Sequence, residues 1–219
     1  LTLPSNVTVF SSRAAQTVKL DELSVAIHGR SFPEREVNED LVPSYPPPVP
    51  GFFNIGLLHT SLTGRAGHDT YAPTDLPTLV AKGYDYWALG HVHAREVLNE
   101  RPRIVFCGNL QGRHAKETGA KGCELVTVEA GRVEAEFIAL DMVRWSQLSV
   151  PLDGVDRLES LNEAFARALE PVLDGTTDRL HAVRVTLTGS TELHRLEAAQ
   201  PGTLAAAMHA AAQDIGTAE

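Results

Sequence analysis

Disulfide-forming cysteines, a membrane span and a secretion signal are all missing from this sequence. Its two cysteines, Cys107 and Cys123, each lie beside a glycine in an apolar stretch, which predicts small buried thiols rather than a disulfide framework. No apolar run approaches the roughly 20 residues of a membrane span, and the N-terminus has no basic-then-apolar segment. The sequence therefore predicts a cytoplasmic protein that makes no membrane contact.

Positive charge is scarce as well. The chain has 19 Lys and Arg against 28 Asp and Glu, a net charge of -9, which argues against nonspecific nucleic-acid binding by the whole surface. The distribution is uneven, because residues 95–121 contain six Lys or Arg and three Glu, so this window carries +3 and the remainder -12. We expect any polyanion to bind near this window.

Apolar residues are plentiful. With 219 residues, 43% hydrophobic and 21% charged, the chain can bury the core of one large domain or of a domain and a half. It begins with LTLP, without an initiator methionine, and leads into a strand predicted at residues 7–10, which suggests a fragment of a longer protein. A second apolar segment, residues 23–27, predicts a hairpin ending at His28. A lone histidine there is more often hydrogen-bonded or exposed than a ligand.

Five prolines lie between residues 41 and 51. Such a segment is extended and has few backbone donors. We interpret it as a stiff connector crossing the surface between two strands. A ligand for a signalling domain is the alternative.

A strand, a loop, a helix and a second strand follow in order. The apolar residues 53–58 predict a strand that ends on His59, and the polar, glycine-rich residues 64–71 predict the rim of a site. Residues 74–82 predict a helix with Thr74 as its N-cap and Gly83 as its left-handed stop. This order is typical of a βαβ crossover and predicts an α/β fold.

Two histidines follow the next apolar strand pattern, in the string YWALGHVH at residues 86–93. If this string is extended, His91 and His93 point to the same face about 6.5 Å apart. Neutral imidazole is the commonest metal ligand in proteins, so the spacing indicates a metal site with His59 as a third candidate. A solvated histidine pair at a strand end is the alternative.

The rest of the chain predicts a polar loop, a hairpin and a second domain. A strand at residues 104–106 leads into the glycine-punctuated loop 107–114, which can place backbone amides and an arginine against phosphate oxygens or form an ordinary turn. The hairpin is predicted from strands at residues 123–128 and 133–140. The second domain is predicted to contain a strand at 145–150, a helix from 158, a strand at 182–187 and an Ala-rich segment at 204–212. Pro171 is expected to end the helix.

Three strings resemble the later motifs of calcineurin-like metallophosphoesterases: LHT at 58–60, WALGHVH at 87–93 and GNLQGR at 108–113. Within that family the resemblance is to the DNA-repair exonucleases of the SbcD-like branch. It implies that residues 1–141 are the C-terminal part of a layered α-β-β-α metallophosphoesterase sandwich and that residues 142–219 are a small βαβ capping domain.

The resemblance also implies a site with two divalent metal ions, often manganese. His59 and His91 resemble ligands of one ion and His93 a ligand of the other, while Asn109, Gln111, Arg113 and His114 lie in the loop expected to contact the substrate. The family's earlier motifs, an Asp-x-His, a Gly-Asp and a Gly-Asn-His-Asp, have no match before His59. We expect them upstream of Leu1, so this chain has no catalytic residue of its own, and Cys107 stands where relatives tend to carry proline.

The resemblance predicts hydrolysis of DNA phosphodiester bonds by the parent protein, with DNA and an SMC-like ATPase as partners. A homodimer is a separate expectation. A module without catalysis, which docks on such an ATPase and positions DNA, is the alternative from another class. A cupin is a third hypothesis, since His91, His93 and Glu96 resemble a metal triad carried on a strand. The glutamate comes too soon for the usual cupin spacing, and the proline connector fits a double-stranded barrel poorly.

Overall fold

The computed structural model describes residues 3–32, 34, 36–63, 71–174 and 178–216. The chain forms two compact units, each of which is discontinuous in sequence. The first unit joins Leu1–Leu110 with Lys121–Leu140, and the second joins Gln111–Ala120 with Asp141–Glu219. Residues 111–120, which the sequence analysis places in the first domain, therefore fold with the second unit.

A six-stranded sheet forms the frame of the first unit. Its strands are β1 (Gln16–Leu20), β2 (Val25–Gly29), β3 (Phe53–His59), β4 (Tyr86–Gly90), β5 (Glu96–Glu100) and β6 (Arg103–Phe106). Their order is β1-β2-β3-β4-β6-β5. The four inner strands are mutually parallel, and the outer strands β1 and β5 pair antiparallel. Parallel inner strands with apolar sequences agree with the predicted α/β class.

Trp87 lies at the centre of the core of this unit. Its side chain is fully buried, and its indole N–H donates to the carbonyl of Leu79, 3.1 Å away. Gly56 on β3 makes room for it, because a Cβ there would lie 2.3 Å from the indole ring. Leu89 on the same strand and Leu58, Ile104 and Phe106 on the neighbouring strands belong to the same cluster.

Helix α1 (Leu76–Ala81) lies between β3 and β4 in the chain. The predicted βαβ crossover is confirmed, since β3 and β4 are parallel neighbours. The predicted N-cap is wrong: the Asp75 carboxylate accepts the backbone N–H of Thr78, whereas the Thr74 hydroxyl donates to Asp40. Gly83 has φ 78°, as predicted for the stop.

The proline-rich segment joins β2 to β3 and enters the core. Leu41, Val42 and Tyr45 are buried. The Tyr45 hydroxyl donates to the carbonyl of Leu57 over 2.8 Å. The predicted connector is therefore confirmed, but its predicted course across the surface is wrong, because its apolar side chains fill part of the core.

His28 on β2 is fully buried and satisfied, one of the two outcomes predicted for it. Its Nδ1 lies 2.9 Å from the Thr17 hydroxyl and its Nε2 lies 3.0 Å from Asn54 Oδ1. The Asn54 NH2 group donates to the carbonyls of Val49 and Phe52, so its Oδ1 must face His28. The ring therefore carries its proton on Nε2 and accepts from Thr17.

A separate antiparallel hairpin, β7 (Gly122–Glu129) and β8 (Arg132–Ala139), completes the first unit. Both strands and their turn are as predicted. Near the N-terminus, β2 lies in an antiparallel hairpin as predicted, but its partner is β1, which was not predicted, and the predicted strand at residues 7–10 is not a strand. The hairpin β7–β8 is a separate sheet of two strands, so the predicted layered sandwich stays a prediction.

The second unit is a parallel strand pair covered by helices. Its elements are β9 (Val143–Pro151), α2 (Leu158–Leu173), β10 (Leu180–Thr188), α3 (Leu193–Ala199) and α4 (Thr203–Gly216). Strands β9 and β10 are parallel, so the predicted βαβ order is confirmed. Leu161, Phe165 and Leu169 recur every fourth residue and are buried against Val150. Pro171 lies inside α2, so its predicted role as the stop is wrong.

The open sheet of the first unit, with parallel inner strands and a helical crossover, contradicts the cupin hypothesis. Across the described residues, no helix combines the length and the apolarity needed to cross a bilayer.

Candidate metal centre

Three motifs that are distant in sequence meet at one edge of the sheet. Strands β3, β4 and β6 are adjacent and parallel. His59 is the last residue of β3, His91 follows β4 directly, and Gly108 lies just after β6. Open α/β sheets bind ligands at the carboxyl ends of their strands. This edge is therefore the candidate site.

His59 and His91 are in direct contact. His91 Nδ1 lies 3.2 Å from His59 Nε2, and the two rings are nearly perpendicular at 82°. Two imidazole nitrogens that share one ion at about 2.1 Å each lie roughly 3.0–3.4 Å apart. The observed separation therefore fits a shared ion as well as it fits a hydrogen bond between the rings.

Glycine at position 90 allows this contact. Gly90 pairs with His59 across β3 and β4, and a Cβ at Gly90 would lie 3.1 Å from His59 Nδ1. The Thr60 N–H donates to the Gly90 carbonyl over 3.1 Å, which continues the ladder beyond His59. The His59 ring thus lies over a residue without a side chain, at a firmly paired strand end.

His91 and His93 do not lie on a strand, so the extended conformation expected for them is wrong. Strand β4 ends at Gly90, and His91 has φ 104°. An L-residue in this region is strained by about 1–3 kcal/mol. His93 is exposed, and its carbonyl accepts from the Asn109 N–H at 3.3 Å. Alternation along a strand therefore does not place the two imidazoles; the sharp turn at His91 directs its ring toward His59.

Two aromatic residues that the sequence analysis did not single out surround the rings. Tyr71 stacks on His91 with centroids 5.5 Å apart and contacts His59 edge-on at 5.4 Å. Phe32 also meets His59 edge-on, at 6.0 Å. Tyr71 ends the loop predicted to rim the site, and residues 64–70 of that loop lie outside the described residues. The predicted rim loop was the only feature of the sequence that pointed to Tyr71 as part of the site. No feature of the sequence pointed to Phe32.

The local environment keeps His59 neutral. Partial desolvation lowers the pKa of His59, and the nearby imidazoles of His91 and His93 lower it further. A neutral ring retains a lone pair, which is the form that binds a metal ion. The electrostatics of the site thus agree with the chemistry of a cation ligand.

The described residues contain only part of a ligand set. Within residues 3–32, 34, 36–63, 71–174 and 178–216, no three His, Cys, Asp or Glu side chains are grouped to hold a metal ion. The donor set in contact is the pair of imidazoles, His59 and His91. It fits a metal site that takes its remaining ligands from elsewhere, because Mn²⁺ favours oxygen ligands and two imidazoles alone hold it weakly.

The residues predicted to bind substrate lie in two units. Asn109 belongs to the first unit and Gln111, Arg113 and His114 to the second. The Gln111 amide donates to the carbonyl of Val143 and accepts the backbone N–H groups of Met142 and Val143. These contacts give Gln111 a structural role at the start of β9.

Arg113 and His114 are exposed. The Arg113 backbone N–H donates to Glu117, and His114 Nε2 lies 3.7 Å from the same carboxylate. The predicted substrate contacts of Asn109, Gln111, Arg113 and His114 stay predictions.

Half of the basic residues in the window 95–121 are bound by groups of the first unit. Arg95 and Arg103 both bind the carboxylate of Glu124, and Lys121 donates to the carbonyl of His93. Three of the six basic residues are thus engaged within the first unit. The expected attraction for a polyanion falls to Arg101, Arg113 and Lys116, which are exposed.

Comparisons with known proteins agree with the motifs. Residues 145–219 match the family described as Metallophosphoesterase YhaO, middle domain. The chain is also 38% identical over 162 residues to a protein of Bacillus subtilis (strain 168) called Uncharacterized metallophosphoesterase YhaO, a match that covers 72% of this chain and 40% of the relative. The chain thus spans about two fifths of the length of that relative. Together with the motifs at the sheet edge, the two matches support a metallophosphoesterase.

Proposed function

We propose that this chain is part of a metal-dependent phosphodiesterase that hydrolyses DNA phosphodiester bonds in DNA repair. The observation that carries the proposal is the 3.2 Å contact between His59 and His91 at the carboxyl edge of three parallel strands. The similarity to a metallophosphoesterase supports the reaction class. The choice of DNA rests on the resemblance of the three motifs to the SbcD-like branch.

The histidines would hold the metal ions. His59 and His91 would share one ion through their neutral nitrogens, and His93 would bind the second. Bound divalent ions, manganese in this proposal, supply charge for the developing phosphate transition state and an activated water. Asn109 would orient a phosphate oxygen by a hydrogen bond. Arg113, which belongs to the other unit, would bind a phosphate group of the DNA, for which a guanidinium is well suited.

Activity separates this proposal from its rival. Residues 1–219 alone should not hydrolyse bis-p-nitrophenyl phosphate with Mn²⁺, because no carboxylate of the described residues is grouped with these histidines to complete the metal sites. A longer protein that also carries the residues encoded before Leu1 should hydrolyse it. In that protein His91→Ala should remove most turnover, whereas Arg113→Ala should mainly raise KM. His209→Ala, which changes an exposed histidine in α4, is the matched control.

Two outcomes would contradict the proposal. Turnover that survives His91→Ala would remove the histidine contact from the site. A longer protein that has the missing motifs but is inactive with manganese, magnesium, zinc and cobalt would favour the non-catalytic module that docks on an SMC-like ATPase and positions DNA. Partner binding and a homodimer stay proposals of the same kind, and light scattering measures the latter.

A further inference from the structure

The segment that carries His91 and His93 has no regular structure of its own. Residues 91–95 form neither helix nor strand between β4 and β5. A ligand-bearing loop loses conformational entropy when it is ordered, unless other parts of the fold already hold it. Two of the side chains that hold this segment, Lys121 and Glu124, come from the chain around the start of β7.

Glu124 on β7 holds the far end of the segment. Its side chain is 2% exposed, and its Oε1 accepts from both Arg95 Nε at 2.9 Å and an Arg95 terminal nitrogen at 2.5 Å. Arg103 on β6 donates to both oxygens of the same carboxylate, at 3.0 and 3.1 Å. Burial alone would raise the pKa of Glu124, but the hydrogen bonds from Arg103 and Arg95 lower it below its ordinary value. Glu124 is therefore ionised and fixed to the framework strand β6.

Lys121 holds the middle of the segment. Its Nζ donates to the carbonyl of His93 at 3.3 Å, and the N–H of Asn109 donates to the same oxygen at 3.3 Å. Gly108 fits closely on the other side, since a Cβ there would lie 2.9 Å from the His93 carbonyl. The backbone of His93 is thus held by two donors and packed against a third residue.

We propose that Glu124 and Lys121 are positioning residues, which hold the loop of His91 and His93 in the geometry that the metal ions require. This inference rests on the proposed function. A metal site needs its ligands held within about 0.5 Å of their productive positions. Glu124 reaches the loop through the side chain of Arg95, and Lys121 reaches it through the carbonyl of His93.

The second unit provides a matched control. Asp141 is also a buried carboxylate, with a side chain that is 0% exposed and that binds Arg144 and Arg179. Asp141→Asn therefore removes the same kind of charge as Glu124→Gln, but in the unit that does not contain the histidine loop. Lys121→Met removes one hydrogen bond at the loop and keeps much of the side-chain volume.

The test is an NMR titration of residues 1–219 with MnCl2, in which the paramagnetic ion broadens the imidazole Cε1–H signals of His59 and His91. We expect Glu124→Gln to need on the order of tenfold more Mn²⁺ for half-broadening, as is usual when a partner that orients a ligand is lost. Lys121→Met should need a few-fold more, and Lys121→Arg should restore the wild-type value. Asp141→Asn should behave as wild type.

The outcomes separate the positioning role from the function on which it rests. Unchanged Mn²⁺ dependence in folded Glu124→Gln and Lys121→Met, with normal broadening in wild type, would overturn the positioning role alone. If Glu124→Gln does not fold, an unchanged titration of Lys121→Met overturns it. If Mn²⁺ in large excess, which even two weakly binding imidazoles should bind, does not broaden these signals in the wild-type chain, both the metal site of the proposed function and the positioning role are contradicted.

Discussion

Glu124 in the first unit and Asp141 in the second have the same chemical environment. Each is a buried carboxylate that binds two arginines. The partners of Asp141 are Arg144 on β9 and Arg179 directly before β10. Because β9 and β10 are parallel neighbours, this carboxylate ties together the beginnings of two framework strands.

Glu124 differs in the segment that its partner belongs to. Arg103 lies on β6, but Arg95 lies in the irregular chain two residues after His93. The same ionic contact thus reaches from the framework into the candidate site. A buried ion pair is therefore no marker of a site by itself, and what matters is whether one partner lies on a segment that the framework does not already fix.

The largest expected effect tests whether the two carboxylates act locally. Asp141→Ala leaves two largely buried guanidinium groups without their shared acceptor, which costs about 3–5 kcal/mol of unfolding free energy. Glu124→Ala should cost less, because the side chain of Arg95 is 34% exposed and water can solvate its charge. Amide hydrogen exchange should show the loss in the first unit for Glu124→Ala and in the second for Asp141→Ala. Equal loss of protection in both units with either variant would break the comparison.

A smaller change in the unfolding free energy, one that depends on pH, is expected from His28, which is buried in the framework of the first unit. Desolvation lowers the pKa of His28, and Lys82 lowers it further, while the hydrogen bond to Asn54 opposes the shift. The unfolded chain therefore binds a proton at higher pH than the folded chain. Stability from this group is complete above pH 6.5 and falls as the pH drops below it, by at most about 1.4 kcal/mol per pH unit. Urea unfolding from pH 7.5 to 5.0 measures the slope, and an equal slope in His28→Gln would contradict this account.

The smallest expected change is an increase in the unfolding free energy, and it comes from a residue of the candidate site. His91 has φ 104°, and glycine adopts positive φ without steric strain. We expect His91→Gly to raise the unfolding free energy of the first unit by about 1 kcal/mol while it removes Mn²⁺-induced broadening of His59. His93→Gly is the control, since no positive φ is relieved there, and it should leave stability unchanged or lower. A thermal melt in which His91→Gly is destabilised would show that the turn is not strained.

Apolar periodicity predicted the buried elements, and polar sequences concealed the rest. Strand β3 and helix α2 have clear patterns and were found near their observed positions. Strand β1, with the sequence QTVKL, was missed because an edge strand needs few apolar residues. Pro171 is exposed near the end of α2, where the loss of one N–H costs little, so the helix continues through it.

The sequence named two of the residues that meet at the sheet edge but did not predict the geometry of their contact. His59 and His91 were named from motifs 32 residues apart, and parallel neighbouring strands explain why they meet. The positive φ at His91 was unforeseeable, because a histidine gives no sign of a conformation that favours glycine. Tyr71 contacts both rings only through tertiary packing, which no spacing reveals.

The segment at residues 111–120 has a consequence for self-association. The Gln111 amide bonds to the backbone of Met142 and Val143 as a short third strand would. Farther along, the carbonyls of Gly112 and Ala115 accept from the side chains of Trp145 and Gln147 on β9. This segment therefore lies along the outer side of β9 and takes the place that an invading chain would need for cross-β pairing. A strand added by another molecule would have to extend this small sheet from β10.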